Sequence, residues 1–74
     1  MVVKPVGNSS QISGVGYSNE HQVLRIRFKK KGTEYDYAGV PKNEYEDLLQ
    51  AKSIGKYFHK YIRGAYEFQR VHQA

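Results

Sequence analysis

Apolar and polar positions alternate strictly from Val23 to Lys29: Leu24, Ile26 and Phe28 share one side of an extended segment, and Arg25, Arg27 and Lys29 share the other. A period of two marks a strand with one buried face. A second alternation, β-branched and aromatic, runs from Thr33 to Ala38, and Lys30-Lys31-Gly32 between the two is a turn signal. With Lys31-Gly32 as a two-residue hairpin loop, Lys29 faces Glu34, Phe28 faces Tyr35, Arg27 faces Asp36 and Ile26 faces Tyr37. Apolar pairs then fall on one face and opposite charges on the other, each pair worth about 0.2–1 kcal/mol relative to Ala pairs. A slip of one residue destroys both sets, so the pattern specifies the pairing strongly. Upstream, Gln11 to Tyr17 alternates weakly around Gly14 and Gly16. That predicts a short strand that kinks, bulges or lets another backbone approach closely.

Helical spacing takes over at Val40-Pro41, because proline is tolerated in a first turn whose N–H lacks an intrahelical acceptor. Tyr45, Leu48 and Leu49 stand at i, i+3 and i+4 as a buried face, with Glu44, Glu46 and Asp47 toward water or the helix N-terminus. Ser53 is suited to cap a second helix. There Ile54, Tyr57, Phe58, Tyr61, Ile62 and Ala65 recur at offsets of 0, 3, 4, 7, 8 and 11, the strongest periodic signal in the chain. Gly64 either ends this helix or loosens it before Tyr66 and Phe68. The elements predict an α+β fold, a three-stranded antiparallel sheet followed by two α-helices packed on one face (β-β-β-α-α). The other face, carrying Arg25, Arg27, Lys29, Glu34 and Asp36, is left to solvent or to a partner. Residues 1–9 read as a flexible arm, residues 10–66 as the domain, and residues 67–74 as an extension, a frayed helix end.

Composition narrows this picture. At 74 residues the chain is shorter than a usual domain of about 100–150, which excludes a second one. It has no cysteine, so a disulfide framework and a thiolate metal site are excluded and the cytoplasm is the expected compartment. No apolar run approaches the roughly 18–20 residues of a membrane span, and Met1 to Ser10 lacks the apolar stretch of a secretory leader. A net charge of +5 biases the partner toward a polyanion or an acidic protein surface.

Several short motifs now stand in order: Val15-Gly16-Tyr17, the Leu24-x-Ile26-x-Phe28 strand, Tyr35-Asp36-Tyr37, Gly39-Val40-Pro41 and Tyr45. They continue with Ala51-Lys52-Ser53-Ile54-Gly55, Tyr57-Phe58, Ile62-Arg63 and Tyr66. Together they resemble the KTSC domain, a short module found at the C-terminus of some lysyl-tRNA synthetases and as free-standing small bacterial and phage proteins. The resemblance runs from about Ser10 to Tyr66. It implies no established activity, and it suggests RNA binding through the synthetase context. The Lys29-Lys30-Lys31 run is more basic than the family pattern demands, and Glu67 to Ala74 lies outside it.

Among candidate chemistries, Tyr35 and Tyr37 have the spacing of a base-stacking pair on a strand. The hairpin pairing instead puts both rings beside Phe28 and Ile26 under the helices, which favours core packing. Charge is segregated: residues 52–74 carry net +4 and residues 41–51 net −2. Lys52 precedes the second helix, and Lys56, Lys60 and Arg63 follow at i, i+4 and i+7 with His59 beside them. Two readings fit this ridge, a polyanion-binding surface and a solvated face partly paired with the acidic first helix. The Lys29, Lys30, Lys31 turn adds phosphate contacts if it lies near the ridge. Arg27, facing Asp36, is expected to be engaged. Catalysis has no support: His21, His59 and His72 have no ligand spacing, no serine sits in a Gly-x-Ser-x-Gly elbow, and Gly14-Val15-Gly16 lacks the remainder of a phosphate loop.

The sequence therefore predicts a non-catalytic binding module without cofactor or metal. Its first reading is nucleic-acid binding, RNA before DNA, through Lys29, Lys30, Lys31, Lys52, Lys56, Lys60 and Arg63. Its second is a protein-interaction module, an adaptor or an inhibitor of a host protein, docking by an edge strand or by the open sheet face with Arg25, Arg27 and Asp36.

Overall fold

The computed structural model describes residues 2–7 and 9–71; Met1, Asn8 and residues 72–74, His72 among them, lie outside the described residues. Five strands form one antiparallel sheet in chain order: β1 (Val3–Pro5), β2 (Ile12–Ser18), β3 (Val23–Phe28), β4 (Glu34–Tyr37) and β5 (Phe68–Arg70). Between β4 and β5 come α1 (Lys42–Gln50), α2 (Ile54–Tyr57) and a π-helical turn, Phe58–Ile62, that continues α2. The α+β class and the pair of helices match the sequence pattern, but the strand count does not. Part of the expected N-terminal arm is β1, and part of the expected frayed helix is β5. Three-residue strands are too short to display a period of two.

The reason the chain returns to the sheet lies at Gly64. Its φ of 83° is a left-handed conformation that glycine adopts at little cost, and the helix ends there instead of running on to Phe68. Tyr37 N-terminally and Phe68 C-terminally then pair across β4 and β5. Ala65, read as the last helical core position, is exposed.

Pairing of β3 with β4 sets Leu24 against Tyr37, Arg25 against Asp36, Ile26 against Tyr35 and Arg27 against Glu34. This corrects the sequence-derived register by two residues. The turn holds four residues, not two: the Phe28 N–H donates to the Thr33 carbonyl at 2.8 Å, and Lys31 and Gly32 within the loop have φ of 62° and 63°. A shift of two preserves side-chain parity, so each residue keeps its predicted face while every partner changes. On β2 the register shifts between Ile12 and Gly14, a bulge at Ser13. Gly14 also explains the close backbone approach: a Cβ built there would lie 2.6 Å from Val3 Cγ1 and 3.2 Å from the Lys4 carbonyl oxygen on β1.

One sheet face carries Ile12, Val15, Leu24, Ile26 and Tyr37 into a core completed by Val40, Leu48, Ile54, Phe58 and Ile62. Burying each large apolar side chain contributes about 1.5–3 kcal/mol relative to exposure. Tyr17 closes the end of this layer, stacking on Tyr45 at 4.8 Å between ring centroids and donating its hydroxyl hydrogen to the Val40 carbonyl at 2.6 Å. Ser53 caps α2 as expected, its Oγ accepting from the Lys56 N–H at 3.2 Å. Leu49 and Tyr61, read as buried, are 41% and 47% exposed. On α1 only Leu48 is fully buried, and Tyr61 sits beside Tyr57 on the flank of the second helix. The π turn, closed by the Arg63 N–H on the Phe58 carbonyl at 2.8 Å, keeps Phe58 and Ile62 both in the core.

Candidate functional site

Nine of the twelve Lys and Arg residues fall into two populations, and Lys4, Lys42 and Arg70 stand apart on β1, α1 and β5. On the open sheet face Arg25 donates from Nε to Asp36 Oδ1 at 2.7 Å and from Nη2 to Asp36 Oδ2 at 3.0 Å, while Arg27 Nε donates to Glu34 Oε2 at 2.7 Å. The expected Arg27–Asp36 pair is therefore replaced by two others, a direct result of the two-residue register difference. The hydrogen bond to Asp36 pushes the Arg25 pKa up despite the opposing effect of burial. Gly14 and Gly16 lie opposite Arg27 and Arg25 on β2, so this face is a charge-paired ladder beside a strip without side chains.

Lys29, Lys30, Lys31, Lys52, Lys56, Lys60 and Arg63 form the second population. All seven are exposed, and among the described residues none has a carboxylate within ion-pair distance. The acidic first helix does not neutralise the second. Its Glu44 instead accepts a hydrogen bond from the Tyr57 hydroxyl. Burial, and next this hydrogen bond, push the Tyr57 pKa well above the usual tyrosine range.

The turn and the helix converge on one end of the core. Lys29 and Lys30 line a groove of about 470 Å³ with Gln11, Phe28 and Tyr35. His59 and Arg63 line an adjoining cleft of about 260 Å³, with Phe28 and Tyr35 common to both and Tyr37, Phe58 and Phe68 completing the inner wall. A polar chain links the two rims: Arg63 Nη1 lies 3.4 Å from His59 Nδ1, and His59 Nε2 lies 2.7 Å from Gln11 Oε1. A guanidinium can only donate, so Nδ1 accepts and Nε2 carries the hydrogen that reaches Gln11. Burial raises the Tyr37 pKa, with Tyr35 adding to the effect and Arg63 opposing it.

Lys29, Lys30, Arg63 and His59 are thus brought together around shared aromatic walls. Lys56 and Lys60 stand on the outer side of the helix, the Lys60 ammonium 5.2 Å from the Tyr61 ring centroid. Lys31 is at the turn, and Lys52 precedes the Ser53 cap. Arg25, Arg27 and Asp36 belong to the other sheet face. Tyr37 is buried, in accord with core packing, whereas Tyr35 is half-buried and forms part of the groove. Gln11, Phe68 and Arg70 were not singled out from sequence. The one signal for Phe68 and Arg70 is the two-residue step between them, which becomes informative only when β5 is known to pair with β4.

Fold and site together define a small α+β domain with seven of its ten cations that lack a carboxylate partner, among the described residues, on or next to one helix and one hairpin turn. Among the described residues no three His, Asp or Glu side chains converge as a metal site, and no helix is long and apolar enough to cross a membrane. The chain belongs to the KTSC domain family, whose profile matches residues 8–66. It is 37% identical over 70 residues to a lysine–tRNA ligase of Nostoc punctiforme, an overlap of 95% of this chain and 12% of the ligase. It is 33% identical over 64 residues to an uncharacterized protein of Stutzerimonas stutzeri, covering 85% of this chain and 89% of that protein. The crystal structure of a KTSC domain protein from Yersinia pestis shares 31% identity and a TM-score of 0.90, over 96% of this chain and 97% of the other. The chain thus spans about an eighth of the ligases it matches and nearly all of the small relatives.

Proposed function

We propose that this domain is a non-catalytic nucleic-acid-binding module of the cytoplasm, directed to RNA before DNA. The observation that carries this reading is the separation of its charges. Arg25 and Arg27 are consumed by Asp36 and Glu34, while ten other cations have no carboxylate within ion-pair distance among the described residues, and seven of these lie at the turn and along or just before the second helix. Unpaired lysines on a rigid surface gain most from displacing counterions of a phosphate backbone. Relatives that include lysine–tRNA ligases, which by name act on an RNA, support RNA as the polymer. Docking of an acidic protein on the open sheet face is less favoured, because its arginines would have to leave bidentate or close partners to engage a new one.

Binding of a fluorescent single-stranded RNA across a range of salt concentrations tests the proposal. Engagement of about four phosphates gives a log–log salt slope of about −3, and Lys56→Ala with Lys60→Ala makes that slope shallower. Affinity no better than about 10⁻⁴ M at about 50 mM salt overturns it.

A further inference from the structure

Phe68 is the feature the phosphate-binding reading leaves without a role. A large aromatic ring on a three-residue edge strand, it is 63% exposed. One side packs against Tyr35 and Tyr37, at 5.6 and 5.7 Å between ring centroids, and the remainder meets solvent. Phe68 also forms part of the wall of the 260 Å³ cleft with Tyr35, His59 and Arg63. That volume is below the about 300–1,000 Å³ of sites that enclose a whole small ligand; the cleft suits one ring of a longer molecule.

Within the cleft and the groove that adjoins it the charge has a single sign. Neither the cleft nor the adjoining groove has an Asp or Glu among its lining residues, while Lys29, Lys30 and Arg63 stand at their margins. Arg70 pairs with Tyr35 across β4 and β5 and therefore projects from the same sheet face. On its other side Phe68 borders a second cleft with Asp36, Glu67 and Gln69, so the cations lie only on the His59–Arg63 side of the ring. An exposed aromatic ring with cations along one side matches an unpaired base whose flanking phosphates reach that rim. Bases of a duplex are already stacked and cannot reach it.

We propose that Phe68, with Tyr35 behind it and Arg63 beside it, stacks an unpaired nucleobase whose flanking phosphates meet Lys29 and Lys30 on the adjoining groove, so that the domain takes single-stranded in preference to duplex nucleic acid. This rests on the nucleic-acid reading and adds a base-dependent contact to it. The buried Tyr37 supports the platform from below and does not meet the base.

The chain contains no tryptophan, so Phe68→Trp introduces a unique fluorophore at the stacking position. Titration of this variant compares a single-stranded oligouridylate, an abasic sugar–phosphate chain of equal length and a duplex RNA. The oligouridylate is expected to quench the indole, and the other two are not. In parallel, Phe68→Ala and Phe68→Leu should each weaken oligouridylate binding roughly 5- to 150-fold, the range expected for one lost base–aromatic stack. Both should leave affinity for the abasic chain unchanged, and Phe68→Leu retains an apolar side chain against Tyr35 and Tyr37. Equal binding of the abasic chain and the oligouridylate, with no effect of either substitution, overturns base stacking while phosphate binding survives. Absence of binding by all three polymers overturns both proposals.

Discussion

Arg25 on β3 and Asp36 on β4 face each other across the open side of the sheet and meet through two parallel hydrogen bonds, at 2.7 and 3.0 Å. Both side chains are only about a quarter exposed, at 24% and 27%, whereas Arg27 in the neighbouring pair is 43% exposed and makes one such bond to Glu34. Fork geometry and partial burial both strengthen an ion pair. A double-mutant cycle with Arg25→Ala and Asp36→Ala, read by urea unfolding, should therefore give a coupling of about 1 kcal/mol, and the Arg27–Glu34 cycle about half of that. A larger coupling in the second cycle contradicts this ranking.

Gly14 is required by the approach of β1. An added Cβ would meet Val3 Cγ1 at 2.6 Å and the Lys4 carbonyl at 3.2 Å, so the Val3 side chain has to turn away and the first strand to give by a few tenths of an ångström. Gly14→Ala is expected to destabilise the fold by about 1–3 kcal/mol, the usual range for overpacking. It should also speed amide hydrogen exchange in the β1–β2 pairing, and Val3→Ala should restore part of the loss by removing the nearer obstacle. Unchanged stability and exchange would show that β1 does not pack there.

Alkaline pH should weaken the fold through tyrosine. Tyr17, Tyr37, Tyr57 and Tyr66 all have raised pKa values, burial being the first cause in each. Above the ordinary tyrosine value of about 10, the unfolded chain releases phenolic protons that the folded chain retains, so stability falls as pH rises. Below that value the contribution is complete. Tyr57, hydrogen-bonded to Glu44, has the largest upward shift. Tyr57→Phe should make the decline between about pH 10 and pH 12 shallower, measured by urea unfolding at each pH. A decline as steep as in the unsubstituted protein contradicts the assignment.

The strong alternations at Leu24–Phe28 and Tyr35–Tyr37 made the two sheet faces legible from sequence, and Ser53 with Ile54, Phe58 and Ile62 made the second helix legible. Register was not legible, because a four-residue turn and a two-residue turn put the same residues on the same faces. What distinguishes them is backbone conformation at Lys31 and Gly32, which side-chain periodicity does not encode. The outer strands were hidden for a different reason: Val3–Pro5 and Phe68–Arg70 are each held by long-range pairing, not by a local pattern. Of the candidate site, the lysines were readable as individual charges. Their relation to the Phe28–Tyr35 groove depends on β2 carrying Gln11 to within 2.7 Å of His59, a contact between residues 48 positions apart.

A polynucleotide should meet the turn and the second helix and not the open sheet face, and amide chemical shifts during titration with single-stranded RNA measure that directly. Perturbations should concentrate at Lys29–Lys31 and from Lys56 through Arg63, leaving Arg25, Arg27 and Asp36 unmoved. Shifts confined to those three open-face residues, with the turn and the second helix silent, would contradict it.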